Sequence, residues 1–216
     1  MNKIMKCLAA AAMGVSLLTA LSSKANSVTV QELGVGPDEV VSITSSTLGT
    51  ANVYAGINNL LVNGVATEGF CIDPFHWSLT GVQSYNTEAL SLGPKTPGGP
   101  MGTAKATEIE QLWAKYYSAS MSPQNAAGLQ VAIWEVVGST TLTDPNYFKV
   151  NGSDYGASLM LTWVNNNPGA PTANLLAVTG PGQDYVIPVP DGGTTVMLLG
   201  EALCGLFIIR RNLCLS

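Results

Sequence analysis

Arginine is missing from the whole stretch between Asn26 and Pro190, and charge of either sign is scarce, at 11% of the 216 residues. In that stretch four lysines, Lys95, Lys105, Lys115 and Lys149, face twelve carboxylates. Nucleic acid and anionic lipid are held by clustered Lys and Arg, so an acidic, arginine-free body excludes both as partners. Histidine occurs once in the chain, as His76, and cysteine once in the body, as Cys71. One thiol and one imidazole fall short of a zinc site. A Cys–His protease would draw its base from a separate element, whereas His76 is only five residues from Cys71. The glycine-rich run from Gly93 to Gly102 lacks the Lys-Ser/Thr ending of a phosphate-cradling loop. Asp73, Glu135, Asp144 and Asp154 stand isolated and read as turn or surface groups rather than halves of a glycosidase pair. No enzyme, cofactor or metal is expected.

The basic charge missing from the body gathers at the ends. Lys3 and Lys6 precede an apolar run from Cys7 to Leu21, and Ser23-Lys24-Ala25 follows. Charged region, apolar region and small-residue cleavage site make residues 1–25 a signal peptide. At the other end Val189-Pro190-Asp191-Gly192-Gly193 is followed by an apolar run from Thr194 to Ile209 and then by Arg210-Arg211. A basic pair after an apolar helix holds that end in the cytoplasm. The order of motif, helix and arginines resembles the PEP-CTERM sorting signals, in the variant Val-Pro-Asp-(Ser/Gly)-Gly. That resemblance implies a transmembrane sorting helix in the inner membrane before processing, an exosortase-type enzyme that reads it, and a mature protein on the extracellular side of the envelope.

Between the ends, Ser27–Leu33, Glu39–Thr47 and Ala51–Val62 are rich in Val, Ile, Thr and Tyr and read as strands. Asn63-Gly64 between two apolar runs is a two-residue hairpin signal. The returning strand carries Phe70-Cys71-Ile72 and stops at Asp73-Pro74, and a loop runs on to Gly102. Helices are expected from Thr103 to about Ala119, from Pro123 to Val137, and from Ser153 to about Val164. Strands return at Leu175–Val178 and Asp184–Val189. The expected class is α+β, a β-sandwich or barrel core with a helical insertion. The organisation is signal peptide 1–25, extracellular domain 26–188, sorting signal 189–211 and tail 212–216.

On the second helix the i, i+3, i+4 stripe is Ala126, Leu129, Gln130, Ile133, Trp134 and Val137. An amide in that apolar stripe costs roughly 1–3 kcal/mol unless its hydrogen bonds are met. Two readings stand at this point. Gln130 is satisfied by strand-edge backbone with Cys71 a small buried hydrophobe, or Gln130 meets Cys71 and the thiolate adds to its carbonyl, expelling ammonia to leave a thioester. Phe70-Cys71-Ile72-Asp73 with Leu129-Gln130-Val131-Ala132-Ile133-Trp134 resembles the thioester domain of bacterial surface adhesins. That resemblance implies Cys71 as sulfur donor, Gln130 as acyl donor, and an amine-bearing partner that attacks the bond. Phe70, Trp77 and Trp134 would shield the bond from water, and His76 is available as a base. The leading expectation is a covalent adhesin. The alternative is a non-covalent structural or glycan-binding component of the extracellular matrix, with exopolysaccharide as a partner.

Overall fold

The computed structural model describes residues 26–95 and 97–190. The expected signal peptide and the apolar sorting helix, with Asp191, Gly192, Gly193, Arg210 and Arg211, lie outside the described residues.

Seven antiparallel strands organise the body: β1 (Asn26–Ser45), β2 (Gly49–Val62), β3 (Val65–Cys71), β4 (Val82–Ala89), β5 (Phe148–Val150), β6 (Leu175–Thr179) and β7 (Tyr185–Pro188). Their order is β2-β3-β7-β6-β4-β1-β5, and β1 also pairs with β2. Six strands therefore close into a ring, and β5 extends the edge of β1 beyond β4. Closure removes the open edges of those six strands, while β5 pairs with β1 alone among the described strands. Three helices are inserted: α1 (Gly102–Tyr116) and α2 (Pro123–Val137) between β4 and β5, and α3 (Ala157–Asn166) between β5 and β6. This is a mostly β fold with some helices, of the class expected.

Two expected strands prove to be one. β1 runs unbroken through Gly34-Val35-Gly36-Pro37, with register shifts against β2 between Glu32 and Gly34 and between Val35 and Asp38. The Gly and Pro residues that read as a break instead form bulges inside the strand. β4, expected as loop, and β5, in a segment given no element, are strands because β1 offers them free backbone groups, a condition outside their own sequence. The Asn63-Gly64 turn is as expected: both residues have positive φ, 50° and 78°, and Val62 pairs with Val65 across it.

Helix α2 begins where its sequence says it should. Ser122 Oγ accepts from Asn125 N at 3.3 Å, Pro123 occupies the first turn, and Gly138 closes the other end. Its apolar stripe is wider than the expected face, because Ala127, Gly128, Val131, Ala132 and Val136 are buried as well. β1, β2 and β3 contact it on one side, and α1 and α3 on the other. A helix enclosed in this way has almost no polar face. The larger core cluster joins this helical layer to Val41, Ile43, Ala55, Ile57 and Phe70 of the sheet. A smaller cluster of Val28, Val30, Leu60, Tyr85, Val178, Tyr185 and Ile187 takes the alternate strand positions. Among the described residues, no helix is long and apolar enough to cross a membrane.

Candidate functional site

Cys71 is the last residue of β3, and Gln130 lies mid-way along α2, which packs across that strand. The two meet. Cys71 N–H donates to Gln130 Oε1 at 2.9 Å, and Gln130 Nε2 donates to Cys71 O at 2.7 Å. The carboxamide thus completes, on one residue, the pair of bonds that a neighbouring strand would make. Gln130 is 0% exposed, so without these bonds both its own dipole and the Cys71 peptide would be stranded in the core. The expected need for a partner on the facing sheet is met by Cys71 itself.

Around the sulfur the groups are mostly buried. Phe70 packs edge-on against Trp113, with ring centroids 5.3 Å apart, and against Tyr117 at 6.3 Å. Trp134, one turn on from Gln130, is buried with its ring tilted on Phe148. Its indole Nε1 is a buried polar atom with no hydrogen-bond partner among the described residues. Lying near the sulfur, that N–H favours the thiolate. Burial, and after it the Asp73 carboxylate, act the other way and more strongly, so the Cys71 thiol is pushed well above its ordinary value. At rest the sulfur keeps its proton.

Asp73 was expected at a turn or the surface, and it is at a turn but only 1% exposed. The chain doubles back immediately after β3, and Asp73 N–H donates to Cys71 Sγ at 3.2 Å. Its Oδ1 accepts from Phe75 N at 3.1 Å and its Oδ2 pairs with His76 Nδ1 at 2.7 Å. Burial raises its pKa, and the bond to His76 opposes that. The expectation that His76 stands by as a base for the sulfur is thereby modified: its ring is held by Asp73. Sequence reasoning missed this carboxylate. The signal was available, since Cys71, Asp73 and His76 fall within six residues around Pro74. It also missed Asp184, which precedes β7, is buried, and accepts from Lys95 N at 2.7 Å and Gly180 N at 2.8 Å.

A cavity of about 460 Å³ reaches this cluster. Cys71, Trp134, His76 and Trp77 line it, together with Glu32 and Asp38 of β1. Trp77 is 56% exposed, so it stands on the cavity wall as a surface group rather than beneath the fold as Phe70 does. Among the described residues no group of three or more His, Cys, Asp or Glu is placed to hold a metal ion.

The described chain leaves β7 through Val189, whose N–H donates to Asn174 O at 3.0 Å, and Pro190. Here the comparisons with known proteins decide one point. Residues 188–213 carry a VPDSG-CTERM motif. This sorting signal of the PEP-CTERM type supports an exported, envelope-sorted surface protein, processed by an exosortase-type enzyme at the membrane. No curated protein and no solved structure matches the chain.

Proposed function

We propose that Cys71 and Gln130 form an internal thioester, and that this envelope-sorted protein uses it to attach covalently to an amine-bearing partner. The reading is carried by the paired bonds between the Gln130 carboxamide and the Cys71 backbone, which hold the acyl group on the residue that bears the nucleophile. Fixed proximity of this kind turns acyl transfer into an intramolecular step and lowers its barrier. Formation is balanced in atoms: Sγ loses its proton and bonds to Cδ, the Cδ–Nε2 bond breaks, and Nε2 takes that proton and departs as ammonia. An amine later adds to Cδ, the carbon–sulfur bond breaks, and an amide and a free thiol result. The aromatic packing of Phe70 and the burial of Gln130 support survival of the bond in water, and the cavity at Cys71 supports access for a small amine.

Intact mass of the secreted chain tests the reading. The thioester form is lighter by one ammonia, Cys71→Ala returns the full calculated mass, and methylamine adds to the wild type alone. A full calculated mass with a titratable thiol would sink the proposal. It would leave the non-covalent structural or glycan-binding role, which is favoured by hydrogen bonds at both ends of the Gln130 carboxamide without any covalent bond.

A further inference from the structure

The buried carboxylates Asp73 and Asp184 face each other's fields yet are satisfied differently. Both Asp184 oxygens accept from backbone N–H groups, those of Lys95 and Gly180. Asp73 accepts backbone N–H from Phe75 on Oδ1, with the Asp184 N–H also acting on the carboxylate, and it pairs Oδ2 with His76, a side chain that is 46% exposed and lines the same cavity as Cys71. Oδ2 of Asp73 takes the imidazole where Asp184 takes main chain, which ties a half-exposed ring to a buried anchor. What Asp73 supplies is orientation. An ionised carboxylate can only accept, so Nδ1 carries a ring proton and, in the neutral imidazole, Nε2 keeps the lone pair. Phe75 N–H fixes the other oxygen, so the carboxylate cannot swing away.

Resting on the thioester reading, we propose that His76 is the proton acceptor for the attacking amine and that Asp73 is its positioning residue. The amine nitrogen adds to Gln130 Cδ and the carbon–sulfur bond breaks with its electron pair on sulfur. The proton lost by nitrogen passes to His76 Nε2 and from there to Cys71 Sγ, leaving an amide and a thiol. The charged or titratable groups that face the pair are Cys71 at the end of β3, Asp184 ahead of β7, Tyr85 of β4, Tyr54 of β2, and Glu32 and Asp38 of β1 on the same cavity. All of these are acidic, which makes His76 the basic side chain among the residues that line the cavity.

The experiment follows methylamine capture by the purified secreted chain, read by intact mass and by release of one thiol. His76→Ala should still lack one ammonia but capture methylamine about 100-fold more slowly. Added imidazole should restore at least a tenth of the wild-type rate. Asp73→Asn should slow capture less and gain less from added imidazole than His76→Ala does, and if it fails to fold, the half-exposed His76 still carries the test. Capture by His76→Ala at the wild-type rate overturns the assignment while leaving the thioester intact. A full calculated mass in His76→Ala alone overturns it too, by placing the imidazole in bond formation. A full calculated mass in the wild type removes the thioester and this role together.

Discussion

Gln130 and Cys71, 59 positions apart in sequence, are joined by two hydrogen bonds that use both ends of one carboxamide and both polar groups of one peptide residue. The pairing has an energetic consequence that is independent of any covalent chemistry. In a Cys71→Ala background, where no thioester can form, Gln130→Ala leaves a buried N–H and a buried C=O without partners. The expected loss is about 2–4 kcal/mol, measured as the shift in urea midpoint at unchanged slope.

A Cys71–Gln130 bond would close a loop of that same length and restrict the unfolded chain. The chain-entropy treatment of cross-links gives about 4 kcal/mol for a loop of this size. Methylamine-treated wild type should therefore unfold at a lower urea concentration than the untreated protein. Coincident midpoints would mean that no cross-link was opened.

Gly128 sits where α2 passes the chain just before α3. A Cβ there would lie 2.4 Å from Tyr155 O and 3.2 Å from Met160 Cε. The first contact is with backbone, which cannot rotate aside, so Gly128→Ala forces α2 off its neighbours. We expect a loss of about 1–3 kcal/mol by thermal or urea unfolding, even though alanine is the better helix former.

The Asn63-Gly64 turn isolates a different effect. Gly64 has φ +78° and open space around its Cβ direction, so Gly64→Ala meets no neighbour and loses only conformational ease. The expected cost is about 1 kcal/mol. Asn63→Ala should cost at least as much, because Asn63 Oδ1 also accepts from Thr29 N at 2.9 Å and ties the hairpin to β1. Equal stability of wild type and Gly64→Ala would contradict the left-handed turn.

Burial pushes Asp184 up to about 6, whereas an unfolded aspartate titrates near 3.9. Between those values the folded chain holds a proton that the unfolded chain has released. Stability from this group therefore falls as pH rises from about 4 to about 6, by roughly 2–3 kcal/mol at most. Asp73 is shifted in the same direction, chiefly by burial. Urea midpoints at pH 4 and pH 7 should fall less in Asp184→Asn than in the wild type. A wild-type protein that loses no more than the variant over that interval would contradict the assignment.

What could be read early was local. Ser122-Pro123 and Gly138 delimit α2 within a residue because caps act through groups three or four positions away. Asn63-Gly64 declared its turn because positive φ is a property of the residues themselves. The glutamine in an apolar stripe announced a buried amide before its partner was visible. Misread were the segments whose state depends on a distant neighbour. β1 was divided at Gly34-Val35-Gly36-Pro37 because bulges and breaks use the same residues, and only the β2 register separates them. β4 and β5 are short segments that become strands by pairing with β1.

The sequence by itself determined the sorting address, the capped helix, the hairpin, and the presence of one thiol and one amide in an acidic body. Each rests on composition or on contacts a few residues apart. Only the tertiary structure decided that the strands close on themselves, that Gln130 closes on Cys71, and that Asp73 holds His76 at the edge of the same cavity. Those outcomes depend on which surfaces remain to be buried once helix and sheet meet, and no window along the chain contains that information.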